Sequence, residues 1–137
     1  MPRREDGLAP DTMLAGLAAA KAAKLAEINV AFDVVAAALT ATYPDKEVLT
    51  FDQQVEEARA FLADASAACP MLQPLAAARG IELADLCERV LAKHDLFSAA
   101  TGALMGRRQA LEDRLDACET VEDVMAITVD FNLSPAA

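Results

Sequence analysis

The chain has 137 residues, enough for one domain with a modest core. Its apolar content of 55% is rich in alanine, while aromatic residues make up 4% with no tryptophan, a helix-forming composition that argues against a β fold. A net charge of −10 and an isoelectric point near 4.4 set the surface against nucleic-acid phosphates and anionic lipid headgroups, so neither nucleic acid nor membrane is expected as a partner.

Residues 1–12 hold two prolines, a glycine and a cluster of charges without periodicity, and read as a flexible N-terminal arm. Arg3-Arg4 is followed at once by Glu5-Asp6, and the apolar run from Met13 is mostly alanine and broken by Lys21 and Lys24. It fails as a signal peptide or a membrane span, which places the chain in the cytoplasm at synthesis. A single helical domain is expected over 13–129, with a C-terminal tail at 130–137.

From Thr12, a candidate N-cap, a helix pattern runs to about Thr42. Leu14, Ala18, Lys21, Leu25, Ile28, Phe32, Val35 and Leu39 alternate steps of four and three, the 3.5-residue repeat of a supercoiling seam. The half from Leu25 onward is strong. The alanine-rich first half is expected to project, either bare or paired with another copy or another protein. Tyr43-Pro44 closes this helix, because proline disfavours helical backbone at the residue before it. Thr50 with Gln53 reads as a T-x-x-Q capping box for a second helix over about 52–64, with Phe51, Val55, Ala58 and Leu62 inside and Glu56, Glu57 and Arg59 outside. A third short helix, 71–79, is expected to end at Gly80 in a left-handed cap.

The longest pattern spans about 83–118, with Leu86, Val90, Phe97, Leu104, Leu111, Leu115 and Cys118 on one stripe. It matches the first helix in reach. The economical architecture is all-α: a long antiparallel helical hairpin braced by two or three short helices, with a coiled-coil extension where the first helix projects. Gly102 and Gly106 are read as sites of close packing between the long helices. Thr120 with Asp123 resembles a cap for a short last helix over 121–129, and Phe131 and Leu133 alternate in the tail.

No catalytic constellation is legible. His94 lies beside the apolar stripe without a second metal ligand at helical spacing. The carboxylate pairs Glu56-Glu57, Glu112-Asp113 and Glu122-Asp123 are read as solvated, since neighbours on a helix diverge. Cys69, Cys87 and Cys118 are separated by 18 and 31 residues, neither a disulfide framework nor a metal spacing, and read as buried or half-buried small residues. No phosphate loop, dinucleotide fingerprint, nucleophile elbow or zinc-protease motif occurs. No metal, cofactor or enzymatic activity is expected. Arg107-Arg108-Gln109, a polar insert in the apolar stripe, is the best candidate for a specific contact, its alternative being an internal ion pair with Glu112 or Asp113.

Lys24 to Phe32, Tyr43-Pro44 through Glu47, Thr50 to Gln54, Glu57-Ala58, Leu62 to Asp64, Pro70, Leu75 to Gly80 and Gly102 to Gln109 together resemble a helical domain of phage and prophage tail-fibre and tail-fibre-assembly proteins. The resemblance covers about residues 20–128. It departs at Phe51, where that family usually carries tryptophan, and in the short N-terminal arm, which implies a partner supplied in trans. What the resemblance implies is a non-enzymatic tail protein that binds a tail-fibre or baseplate protein. Such a protein acts as an assembly chaperone in the bacterial host cytoplasm, or stays as a structural part of the virion tail. The expected partner interface comprises Leu25, Ile28, Phe32, Phe51, Arg107, Arg108 and Gln109, with the first helix also able to form a homo-oligomer.

Overall fold

A computed structural model of the chain describes residues 10–132, which form six helices and no strands. Most of the expected N-terminal arm and the tail residues 133–137, Leu133 among them, lie outside the described residues. The helices are α1 (Pro10–Ala38), α2 (Asp45–Val48), α3 (Phe51–Ala63), α4 (Leu72–Arg79), α5 (Leu83–Asp116) and α6 (Val121–Met125). The fold is all-α, and its two long helices, 29 and 34 residues, would reach about 44 and 51 Å at 1.5 Å per residue. No helix among the described residues is long and apolar enough to cross a membrane.

The chain divides into two compact units. The first combines α1 up to Ala37 with residues from Ala103 onward, that is, the C-terminal part of α5, α6 and the tail. Within it Lys21 of α1 lies opposite Asp116 of α5 and Asn29 opposite Arg108, so the two helices run antiparallel. Its core is Ile28 from α1, Leu104, Leu111 and Leu115 from α5, and Cys118, Val124, Ile127 and Phe131 beyond it, all buried. Phe131 meets Phe32 edge to face, ring centroids 6.0 Å apart. The sequence stripe at seven-residue spacing thus does what its period requires in this part of α5.

Thr120 caps α6 as its spacing predicts. Its hydroxyl accepts from the Asp123 N–H at 3.0 Å, and the Asp123 carboxylate accepts from the Thr120 N–H at 3.2 Å, a reciprocal box. The Glu119 N–H also donates to that carboxylate. Hydrogen bonds from Glu119 and Thr120 hold the Asp123 carboxyl below its ordinary pKa.

The second unit spans Ala38–Gly102: α2, α3, α4 and the N-terminal part of α5. Its core gathers Ala58 of α3, Cys69 of the following loop, Leu72 and Ala76 of α4, and Leu86 and Cys87 of α5, with Phe61, Leu75, Ile81 and Val90 packed around them. Gly80 ends α4 at φ 72° and ψ 35°, as expected. The Ile81 N–H reaches back to Ala76 O and the Gly80 N–H to Ala77 O, the paired bonds of a Schellman motif that only a left-handed residue closes cheaply.

Three local expectations are overturned here. The turn after Pro44 holds a helix of its own, α2. Because Thr50 follows it in helical backbone, φ −98° and ψ −4°, its hydroxyl turns back to donate to Glu47 O at 2.7 Å instead of capping α3. Gln53 correspondingly bonds Glu57, so the Thr50–Gln53 box does not form. On α3 the inward face is rotated: Glu57 is buried, while Leu62 is 44% exposed. Finally, a Cβ at Gly102 or Gly106 would meet nothing within 4 Å, so neither glycine serves close packing, and α5 continues helically through both.

Candidate interaction surface

The expected interface residues fall in both units, Phe51 in the second and the other six in the first. Ile28 is fully buried and offers nothing to a partner in this conformation. Leu25 and Phe32 are half-buried on the same side of α1, Phe32 against Phe131. In the second unit Phe51 is half-buried against Tyr43, centroids 5.2 Å apart, and the Lys93 ammonium lies 5.1 Å from the Tyr43 ring on a cation–π contact. Phe51 therefore helps hold the turn that precedes α3 against the N-terminal part of α5 within the second unit.

The two arginines are engaged inside the first unit. Arg107 Nε donates to Asp130 O at 2.7 Å, fixing the segment that carries Phe131. Arg108 donates to Asn29 Oδ1 at 3.2 Å and lies 3.5 Å from Glu112, the internal pairing that the sequence offered as an alternative. Gln109 is exposed. His94 is hydrogen-bonded to Ser98, its Nε2 3.3 Å from Oγ. Among the described residues no three His, Cys, Asp or Glu side chains converge as metal ligands.

A buried polar node that the sequence did not disclose lies in the second unit. Glu57 reaches from α3 to the N-terminus of α4, its carboxylate accepting from the Leu72 N–H at 2.9 Å, the Met71 N–H at 3.1 Å and Gln53 Nε2 at 2.8 Å. Burial by itself pushes the Glu57 carboxyl up, but the bonds from Leu72, Gln53 and Met71 outweigh it and hold the pKa below its ordinary value. The Cys69 thiol sits beside this node and donates to Glu57 O at 3.8 Å, and Cys87 is buried in the same core cluster. All three cysteines are free and buried, as expected. Burial first pushes both the Cys69 and Cys87 thiols up, away from the reactive thiolate, reinforced at Cys69 by the negative charge of Glu57 and at Cys87 by Cys69 and then Glu57. This cluster is a structural clasp: it satisfies the first N–H groups of α4 and locks α3 to it.

The surface that stands out is the far side of α1. Positions 21, 25, 28, 32 and 35 turn inward, and the opposite side of the same helix is made of Ala19, Ala23, Ala26, Val30, Val34 and Ala37, every one exposed. Val30 and Val34 keep 63% and 67% of their surface in water. A helix in solvent ordinarily carries its polar residues on that side, whereas α1 is apolar nearly all round. Its lysines do not relieve this. Lys21 Nζ and Lys24 Nζ turn away to Asp116 O and Ile127 O, both at 3.2 Å.

Toward its start the inward side is bare too. Met13 and Leu14 are 59% and 66% exposed, ahead of the Lys21–Asp116 contact that marks the end of α5. In the weak first half of the seam Leu14 is exposed, while Leu17 and Lys21 are half-buried and Lys21 reaches Asp116 O.

Comparison with known proteins adds two findings. The HI1402 helical domain matches residues 92–129, that is, the later part of α5, α6 and the segment after it. An uncharacterized protein of Haemophilus influenzae is 37% identical over 57 residues, covering 42% of this chain and 84% of that protein. No solved structure matches.

Proposed function

The chain belongs to the HI1402 helical domain family. We propose, on other grounds, that it is a non-enzymatic helical protein–protein interaction module of bacteriophage or prophage tails, acting as a chaperone-like factor in tail-fibre assembly. The observation that carries the interaction reading is the unpartnered apolar face of α1. Exposed contiguous apolar faces of this kind mark association sites rather than ordinary surface. The phage assignment is supported by the resemblance of residues about 20–128 to tail-fibre and tail-fibre-assembly domains. In this reading the partner is a tail-fibre or baseplate protein, nucleic acid and membrane are not bound, no cofactor is used, and the protein works in the host cytoplasm.

A second reading, a permanent adaptor in the virion tail, draws support from the start of α1, where Met13 and Leu14 keep 59% and 66% of their surface exposed. Quantitative mass spectrometry of purified tail particles separates the two. Absence from particles, with recovery beside the fibre protein in induced lysate, is the expected result. Stoichiometric presence in particles makes it a virion component, and absence from both refutes the phage assignment.

A further inference from the structure

We propose that the outward face of α1 is built to take an amphipathic helix of another protein whose apolar stripe is flanked by lysine or arginine, rather than a second copy of this chain. The inference rests on the interaction reading above and names the chemistry of its partner. Two features carry it. The stripe is narrow and made of small residues, with Ala19, Ala23 and Ala26 leading into Val30 and Val34, which fits a helix lying close along it better than a loop or a bulky side chain. Each rim carries an acid. Asp33 borders one edge with no ion pair among the described residues, and Glu27 borders the other, where Lys24, bonded also to Ile127 O, pairs with it at 3.2 Å; Lys21 is drawn to the inward side at Asp116 O. A second copy would bring the same acids to the same rims and a further −10 of net charge, while a basic-flanked helix would complement both.

The test uses the full chain and three labelled 28-residue peptides: a helical alanine/leucine seam flanked by lysines, the same seam flanked by glutamates, and a scramble of the lysine peptide that has no seam. Fluorescence anisotropy is expected to give the lysine-seam peptide a Kd at least tenfold below both others. Val30→Asp with Val34→Asp weakens it at least tenfold. Met125→Asp, at a side chain 71% exposed outside this face, leaves it unchanged. Asp33→Lys, a surface change that spares the stripe, narrows the preference for lysine over glutamate flanks. Light scattering of the free chain gives one copy, 14.5 kDa.

Equal affinity for the scrambled or the glutamate peptide, or no binding to any of the three, overturns the proposal. So does a two-copy mass that Val30→Asp with Val34→Asp dissolves, since a second copy then covers the face. These failures leave the interaction reading standing. That reading falls separately, if the doubly substituted chain recovers as much tail protein from lysate as the wild type.

Discussion

Replacing Glu57 by alanine removes a side chain that is 7% exposed and accepts hydrogen bonds from three donors, two of them backbone N–H groups at the start of α4. The Leu72 N–H is buried and loses its partner outright. The Met71 N–H is half-buried and regains some from water. An unsatisfied buried donor costs about 1–3 kcal/mol, and losing a helix cap about 1 kcal/mol, so Glu57→Ala should lose about 2–4 kcal/mol of a total of roughly 5–15. At a urea slope of about 2 kcal/mol per molar, the midpoint falls by about 1–2 M.

Glu57→Gln keeps one acceptor oxygen but not the charge, and should lose about half as much. The pH dependence has a definite sign. A carboxyl whose folded pKa lies below its unfolded value of about 4.3 adds stability that is full above that value and fades as pH falls through the folded pKa. The gap between wild type and Glu57→Gln should therefore be constant near neutrality and shrink on acidification below about pH 4. Urea titrations of the three proteins at several pH values measure it. A loss under about 1 kcal/mol for the alanine variant, or a gap that ignores acid, would refute the clasp.

Other predictions address the remaining elements. Gly102→Ala and Gly106→Ala should each raise stability by roughly 0.5–1 kcal/mol, since each adds helix propensity and its Cβ meets open space; a loss in thermal or urea unfolding would mean that α5 needs those glycines. Thr120→Ala removes the hydroxyl that accepts from Asp123 and should cost about 1 kcal/mol, with faster hydrogen exchange over 121–125. Phe131→Ala vacates a buried site against Phe32 and should cost roughly 3 kcal/mol, and unchanged exchange in 28–35 would contradict that packing.

Much of the scaffold could be read from the chain, because periodicity and caps are local properties. Leu104, Leu111 and Leu115 sit where a seven-residue stripe puts them, Gly80 turns left-handed, and Thr120 finds Asp123 three residues on. Glu57 could not be read in this way. Its neighbour Glu56 is exposed, and a rule about adjacent helix positions says nothing of another helix whose N-terminus arrives over one of them. Thr50 misled for a related reason: the four-residue α2 ahead of it carries helical backbone into the capping position.

For α1 the heptad seam identified one face correctly as apolar, and Leu25, Ile28 and Phe32 are turned inward. The opposite face escaped notice because alanines at every register blur the contrast on which an amphipathic reading depends. Arg107 and Arg108 stood out as a polar insert, yet their partners, Asp130 and Asn29, lie 23 and 79 residues away.

The most direct measurement is co-purification from induced lysate of the tagged wild-type chain, the Val30→Asp, Val34→Asp double variant and Met125→Asp, with tail-fibre protein quantified per mole of bait. The α1 surface predicts at least a tenfold fall for the double variant at unchanged unfolding midpoint, and full recovery for Met125→Asp. Equal recovery by all three would show that the outward face of α1 is not where this protein meets its partner.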